Sequence, residues 1–159
     1  MNNKFVILLS MNLVDRVKKV LNESHLMSLG TFDDDGVWVA DIIFLYDDSL
    51  NIYWLSSPDC RHSRAILKND KVAGTITYSN KKNEANLGLQ IEGKAERLEG
   101  IRPDLILKHL TKRGHKMPDM SKALEILDGD CWYILTPTKI ELIDEENFGF
   151  KRQSVNLIK

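Results

Sequence analysis

Cysteine is scarce in this chain, with two in 159 residues, and long apolar runs are absent. Cys60 and Cys131 lie far apart and form no C-x-x-C pair, so neither a disulfide framework nor a zinc site is indicated. The four histidines show no paired metal-ligand spacing, and no H-E-x-x-H, P-loop, G-x-S-x-G or G-x-G-x-x-G motif occurs. No metal site is therefore expected, and no standard hydrolase or nucleotide-binding signature is present.

Neither positive nor negative charge is in excess. The chain has 22 Lys and Arg residues against 23 Asp and Glu residues, for a formal net charge of -1. One basic cluster, residues 108–116, has no interleaved aromatic residue and is interpreted as a solvated helix end, so no nucleic-acid partner is expected. No segment approaches the roughly 20 apolar residues that span a bilayer, and the apolar run 5–9 lacks a signal-peptide cleavage site. We expect a soluble cytoplasmic protein with no membrane partner.

What the sequence does contain is a series of short strands. They are predicted at residues 25–32, 37–46, 50–55, 71–78, 87–98, 131–136 and 139–143, with a turn at Pro137 between the last two. Helices are predicted at residues 13–23, 60–68, 104–113 and 120–127. Six or seven antiparallel strands with few helices predict a mainly β fold, a closed or partly open barrel, and argue against a doubly wound parallel sheet. A single domain is expected over residues 11–153, with flexible termini at 1–10 and 154–159.

The most informative segment is residues 51–70, where an apolar strand leads into hydroxyl side chains and a basic helix start. Ser56 and Ser57 end the strand, and Arg61, His62 and Arg64 open the helix. A helix N-terminus attracts anions through its unpaired backbone N–H groups and its dipole. Arg61 adds a bidentate donor that suits phosphate. Because cations oppose the dipole at this end, a bound phosphate is their simplest explanation; the alternative is a surface helix whose first turn happens to be basic.

The same segment resembles the flavin-binding split β-barrels related to pyridoxamine phosphate oxidase. In that family a strand ending in Thr or Ser is followed by Ser-Arg-Lys-x-Arg, then by a strand after Asn-Pro or Asn-Asp. Here Ser56 matches the hydroxyl, Arg61 matches the phosphate arginine, and His62 takes the place of the lysine.

Three further segments extend the resemblance over nearly the whole chain. Residues 39–44 look like the strand whose backbone lines the isoalloxazine ring, residues 90–98 resemble the family's G-x-A-x-x-L strand, and residues 147–153 (N-F-G-F-K-R-Q) look like the closing segment of a small bacterial subgroup. The resemblance implies a homodimer with FMN lying across the subunit interface. The cofactor-binding residues are then expected to be Ala40, Asp41, Ile42, Leu55, Ser56, Ser57, Arg61, His62, Thr77, Gln90 and Lys151.

Two departures from the family pattern bear on function. His62 replaces a lysine, which makes one charge beside the phosphate pH-dependent. The arginine and histidine that pyridoxamine phosphate oxidases use on their substrate are absent from the F-G-F-K-R-Q tail, so vitamin B6 oxidation is not expected. The flavin carries the chemistry in such sites, so no side chain is assigned a catalytic role.

Two functions from different classes remain open. The first is an FMN-dependent oxidoreductase that passes hydride or electrons between a reduced nicotinamide, NADH or NADPH, and a small acceptor. The second is a non-catalytic split-barrel module that holds flavin, haem or another planar ligand. A third alternative, a cofactor-free interaction domain, predicts a colourless protein that rejects added flavin. The sequence does not distinguish FMN from FAD or a deazaflavin.

Overall fold

The computed structural model describes residues 12–79, 81–115, 125 and 127–157. Its helices are Leu13–Glu23 (α1), Arg61–Lys68 (α2), Pro103–Lys112 (α3) and Glu145–Phe148 (α4). Its strands are Leu26–Asp33 (β1), Gly36–Tyr46 (β2), Ile52–Ser56 (β3), Lys71–Thr77 (β4), Leu87–Arg97 (β5), Cys131–Asp144 (β6) and Gln153–Ser154 (β7). The predicted extension at residues 1–10 and most of the predicted helix 120–127 lie outside the described residues. None of the described helices is long and apolar enough to cross a membrane.

Antiparallel pairing closes β1 to β6 into a barrel. The strand order is β3-β2-β1-β4-β5-β6, β3 pairs back onto β6, and β7 adds to the far edge of β6. Alternate side chains of each strand fill the interior, as Met27 and Leu29 do from β1 and Ile76 does from β4. The predicted mainly β barrel is therefore confirmed.

Helix α1 packs against this barrel core. Asn12 caps it by accepting a hydrogen bond from the backbone N–H of Val14 at 3.0 Å. Its apolar stripe, Val17, Val20 and Leu21, is buried, as the helical spacing predicts.

A tight turn joins β1 to β2 and sets their register. Asp33 pairs with Gly36, which adopts the positive φ of +99° that glycine tolerates best. The Asp33 carboxylate accepts a hydrogen bond from the backbone N–H of Asp35 at 3.0 Å. The resulting register places Ser28 opposite Asp41, and the Ser28 hydroxyl donates to the Asp41 carboxylate at 2.6 Å.

The predicted turn at Pro137 is wrong. The chain runs through Pro137 as one strand, β6, with a bulge at Thr138, which is left out of the residue pairing with β5. A bulge tolerates proline because the ladder is already interrupted there. Gly93, which lies opposite Pro137, has no room for a side chain, since a Cβ would lie 2.3 Å from the carbonyl oxygen of Thr136.

The packed chain also continues past residue 153, where we expected it to end. Ser154 pairs with Glu141 on β6, and Val155 is buried in the barrel core. The burial of Val155 explains why the short strand β7 stays on the barrel.

Helix α3 covers a second apolar cluster on the outside of the barrel, where it buries His109. The imidazole packs edge-on against Trp132, with ring centroids 5.8 Å apart, and its Nδ1 has no partner among the described residues. Burial is the main cause that lowers the pKa of His109 to about 4, and the cation of Arg113 adds to it. The imidazole is therefore neutral at pH 7.

Acidification is expected to destabilise the fold through His109. Because its folded-state pKa lies below the unfolded value of about 6.5, the unfolded chain takes up the proton first as the pH falls. The stabilisation is fully present above pH 6.5 and is lost towards pH 4, a difference on the order of 2–3 kcal/mol. Urea unfolding at pH 7.5 and pH 5 measures it, and a His109→Leu variant should lose much less stability. Equal losses in both proteins would contradict this assignment.

Candidate functional site

Strands β2 and β3 are paired over only part of their length. The pairs are Phe44 with Trp54, Leu45 with Tyr53, and Tyr46 with Ile52. In the described part of the chain, the edge of β2 that faces away from β1 carries no strand from residue 37 to residue 43. On such an edge every second residue presents its backbone N–H and C=O to whatever lies beside it. The barrel is therefore open here, and we call this opening the split.

Eight of the eleven predicted cofactor residues gather around the split. They are Ala40, Asp41 and Ile42 on the open edge of β2, Leu55, Ser56 and Ser57 at the end of β3, and Arg61 and His62 at the start of α2. Continuing the β2–β3 register places Ile42 beside Ser56. The side chain of Ile42 is buried in the core, so this residue can meet a ligand only through its backbone.

His62 is held in place by Ser56. Its Nε2 lies 2.8 Å from the Ser56 hydroxyl oxygen, and the residue is 7% exposed. Burial lowers the pKa of His62 from its ordinary value of 6.5, so the imidazole is neutral at pH 7. A phosphate bound here would favour the charged form and so act against that shift.

Arg61 reaches from α2 to the hairpin that joins β1 and β2. Its Nη2 donates to the carbonyl oxygen of Asp35 at 3.2 Å and lies 3.6 Å from a carboxylate oxygen of Asp33. Its guanidinium carbon is 4.9 Å from the centroid of the Trp38 ring. Its Nε is buried and has no partner among the described residues. The Nη2 group is thus fixed to the hairpin, and the neighbouring Nε–H has no acceptor among the described residues.

The loop before α2 leaves the helix N-terminus without a side-chain cap. The N-cap residue Cys60 makes no side-chain hydrogen bond to the helix. Ser57 instead accepts a hydrogen bond from the backbone N–H of Asp59 at 3.2 Å, and the guanidinium of Arg64 donates to the carbonyl oxygen of Asp59. Ser57 and Arg64 therefore shape the loop, and the first-turn N–H groups are left for water or a ligand.

The other three predicted residues, Thr77, Gln90 and Lys151, lie elsewhere. They line a groove of about 490 Å³ on the outer face of β4 and β5, with Arg152 beside Lys151. Strands β4 and β5 are the second and third strands from β2, so about 10–14 Å of sheet separates the groove from the split. Within one protomer Thr77 and Lys151 therefore lie away from the split, whereas Gln90 also lines a second recess that reaches Val39 on the open edge of β2.

Small side chains make the floor of this groove flat. Thr75 and Thr77 are exposed and point outward from β4. An adjoining recess of about 380 Å³ shares Thr75 and Gln90 and adds Gly30 and Ala73. A flat, small-residue surface of this extent suits either a planar ligand or the face of another subunit.

Lys112 was missed by sequence reasoning, and the prediction of a solvated basic cluster is wrong for it. Its ammonium donates to the carbonyl oxygen of Phe44 at 2.7 Å, where the β2–β3 pairing ends. Burial lowers the pKa of Lys112 to about 8. The sequence did hold one sign of this burial. Lys112 follows Leu105 and His109 at helical spacing, which places it on the same buried face of α3.

Comparison with known proteins decides the family. Residues 13–141 match the family described as pyridoxamine 5'-phosphate oxidase. The chain belongs to this family. A UPF0306 protein of Klebsiella pneumoniae (strain 342) is 28% identical over 134 residues, which cover 84% of this chain and 85% of that protein. A UPF0306 protein of Enterobacter sp. (strain 638) is 30% identical over 98 residues, 61% of this chain and 69% of that protein.

Solved structures share the family's fold at low sequence identity. A conserved hypothetical protein of Mycobacterium tuberculosis superposes with a TM-score of 0.73 at 15% identity, covering 92% of each chain. The haem storage protein of Vibrio cholerae superposes with a TM-score of 0.60 at 20% identity, covering 83% of this chain and 95% of that one. These likenesses confirm the split barrel, and at such identities they carry no further conclusion about ligand or activity.

Proposed function

We propose that this protein binds FMN in the split and acts as a homodimeric oxidoreductase. The open edge of β2 beside Ser56 and the start of α2 carries the proposal. An isoalloxazine ring has hydrogen-bond donors and acceptors along one edge, and an unpaired strand edge offers the matching backbone groups. Arg61 and the uncapped helix N-terminus lie at the same opening, where they can take the phosphate.

The residues around the split fit an FMN molecule. The buried Nε of Arg61 has no partner among the described residues, and a buried donor without an acceptor is costly unless a ligand or water supplies one. Ser56 and Ser57 offer hydroxyls to the ribityl chain, and the His62 imidazole can stabilise the phosphate when protonated. When bound, the flavin supplies the hydride or electron transfer; the residues of this chain bind and orient it.

The outer groove is assigned to the second subunit. Because Thr77 and Lys151 lie too far along the sheet to complete their own split, we place them, together with the neighbouring Gln90, against the flavin of the partner. A two-fold axis then builds two equal sites, each from the split of one protomer and the groove of the other. The flat outer floor and the exposed apolar side chains Val37 and Val39 become buried in that contact.

A dimer is therefore expected in solution. Light scattering at micromolar concentration with flavin bound should give about twice the chain mass of 18.2 kDa. A single-chain mass under those conditions would contradict the composite site.

The visible absorption spectrum tests the proposal directly. The purified protein, or the protein after addition of FMN, should be yellow, and NADH or NADPH should bleach it. Yellow protein that neither nicotinamide reduces would favour the non-catalytic binding module. Protein that stays colourless and rejects FMN would overturn the proposal in favour of a cofactor-free domain.

Haem is the competing ligand, and an intense red spectrum on haem addition would support it. Haem iron is held in proteins by His, Cys, Met or Tyr side chains. Among the described residues that line the outer groove, none is of these types, which favours flavin there. At the split, His62 is engaged with Ser56, which leaves the half-buried Cys60 at the start of α2 as the candidate haem ligand.

A further inference from the structure

The hairpin between β1 and β2 places a carboxylate against the arginine proposed to hold the phosphate. Asp33 Oδ1 lies 3.6 Å from Nη2 of Arg61, and the Asp33 side chain is only 9% exposed. Its neighbour Asp34 pairs instead with Lys68 at 2.9 Å, at the other end of α2, and is 87% exposed. Two adjacent carboxylates thus approach the same helix, and only one of them faces the phosphate arginine.

We propose that Asp33 is a built-in competitor for Arg61 that limits how tightly the site holds a phosphate ligand. This inference rests on the function proposed above. A phosphate dianion that approaches Arg61 meets the negative charge of Asp33 at close range, and this charge already neutralises part of the guanidinium. Like charges within a few ångströms in a half-buried site repel strongly enough to change affinity.

Asp33 forms an ion pair with Arg61 but no hydrogen bond, because their separation exceeds hydrogen-bond length. The orientation comes from the carbonyl oxygen of Asp35, at 3.2 Å, and from the ring of Trp38. Both of these contacts remain if the charge of Asp33 is removed. The Asp33 carboxylate therefore weakens phosphate binding and is not needed to hold Arg61 in place.

The Asp33→Asn variant tests the charge of Asp33 by itself, because it removes the charge and keeps the shape of the side chain. Its side-chain oxygen can still accept the hydrogen bond from the backbone N–H of Asp35, which Asp33 accepts at 3.0 Å, so the turn is kept. Asp34→Asn is the matched control, since it removes a charge one residue away that pairs with Lys68 and not with Arg61.

The experiment is titration of wild type, Asp33→Asn, Asp34→Asn, Arg61→Ala and Asp33→Asn/Arg61→Ala with FMN and with riboflavin, at low and high salt. Asp33→Asn should bind FMN roughly three- to tenfold more tightly than wild type at low salt. High salt should shrink the gain. Riboflavin, which lacks the phosphate, should bind both proteins equally, and Asp34→Asn should match wild type. Asp33→Asn should still improve FMN binding in the Arg61→Ala background, because the repulsion between Asp33 and the phosphate does not pass through the arginine.

Three other outcomes can be told apart. If FMN binds wild type and Arg61→Ala weakens it, but Asp33→Asn binds it no more tightly, then Asp33 is not a competitor and the proposed function stands. If none of the proteins binds FMN, the proposed function fails and this inference fails with it. A gain that appears equally for riboflavin would mean that Asp33 acts on the fold and not on the phosphate, which also overturns the inference.

Discussion

Replacing Arg61 with alanine is expected to weaken FMN binding by roughly tenfold to a hundredfold. Charge-assisted hydrogen bonds to a partly buried dianion contribute about 1.5–3 kcal/mol, which corresponds to that range of affinity. The guanidinium has a buried Nε without an acceptor among the described residues, although its contact with Asp33 places the expected loss towards the lower end.

Riboflavin and Arg64→Ala supply the controls for this measurement. Arg61→Ala and wild type should bind riboflavin alike, because riboflavin has no phosphate for the arginine to contact. Arg64 lies one turn along α2 and donates to the carbonyl oxygen of Asp59, so its removal should affect FMN much less. Equal FMN affinity in wild type and Arg61→Ala would show that the start of α2 does not bind the phosphate.

The sequence predicted the barrel because its local signals agree with the final fold. The hairpin turn at Asp33–Gly36 and the alternation of Val72, Gly74 and Ile76 with Ala73, Thr75 and Thr77 both follow from period-two patterning and turn chemistry. Counting the pairs outward from the turn between Asp33 and Gly36 also places Ser28 opposite Asp41, so the hydrogen bond between them could have been predicted from the sequence.

The contacts of Arg61 could not be predicted from the sequence. Its partners Asp33, Asp35 and Trp38 lie more than twenty positions away in the chain, and no periodicity relates a helix start to the tip of a distant hairpin. The lowered pKa of His62 could not be predicted from the sequence for a similar reason, since burial depends on what packs over the imidazole. Pro137 was misjudged because proline marks turns more often than bulges.

The separation of the predicted residues into two groups is the main lesson of the structure for the site. Resemblance to a family lists cofactor residues along one sequence, and the list does not say which subunit each residue serves. Gln90 and Arg61 are on the same chain, yet the strand order puts β5 and the split on different parts of the barrel. A composite site reconciles both groups with one bound flavin.

Thr75→Trp is expected to abolish flavin binding, with a loss of about a hundredfold or more for FMN and riboflavin alike. The indole would fill the floor of the groove, where Thr75 is now exposed, and exclude the ring in both ligands. The fold should tolerate it, because tryptophan is favourable in strands and the side chain points outward. Glu96→Trp is the matched control, since Glu96 is exposed on β5 and lines neither the groove nor the adjoining recess.

Mixed dimers of Thr75→Trp with Arg61→Ala then decide whether the site is composite. If each site takes its split from one protomer and its groove from the other, a mixed dimer has one doubly damaged site and one intact site. Unfolding and refolding equal amounts together should restore tight FMN binding to about one site in four, since about half of the dimers are mixed. Binding in the mixture equal to the average of the two separate variants, with light scattering still showing dimers, would place the whole site within one protomer.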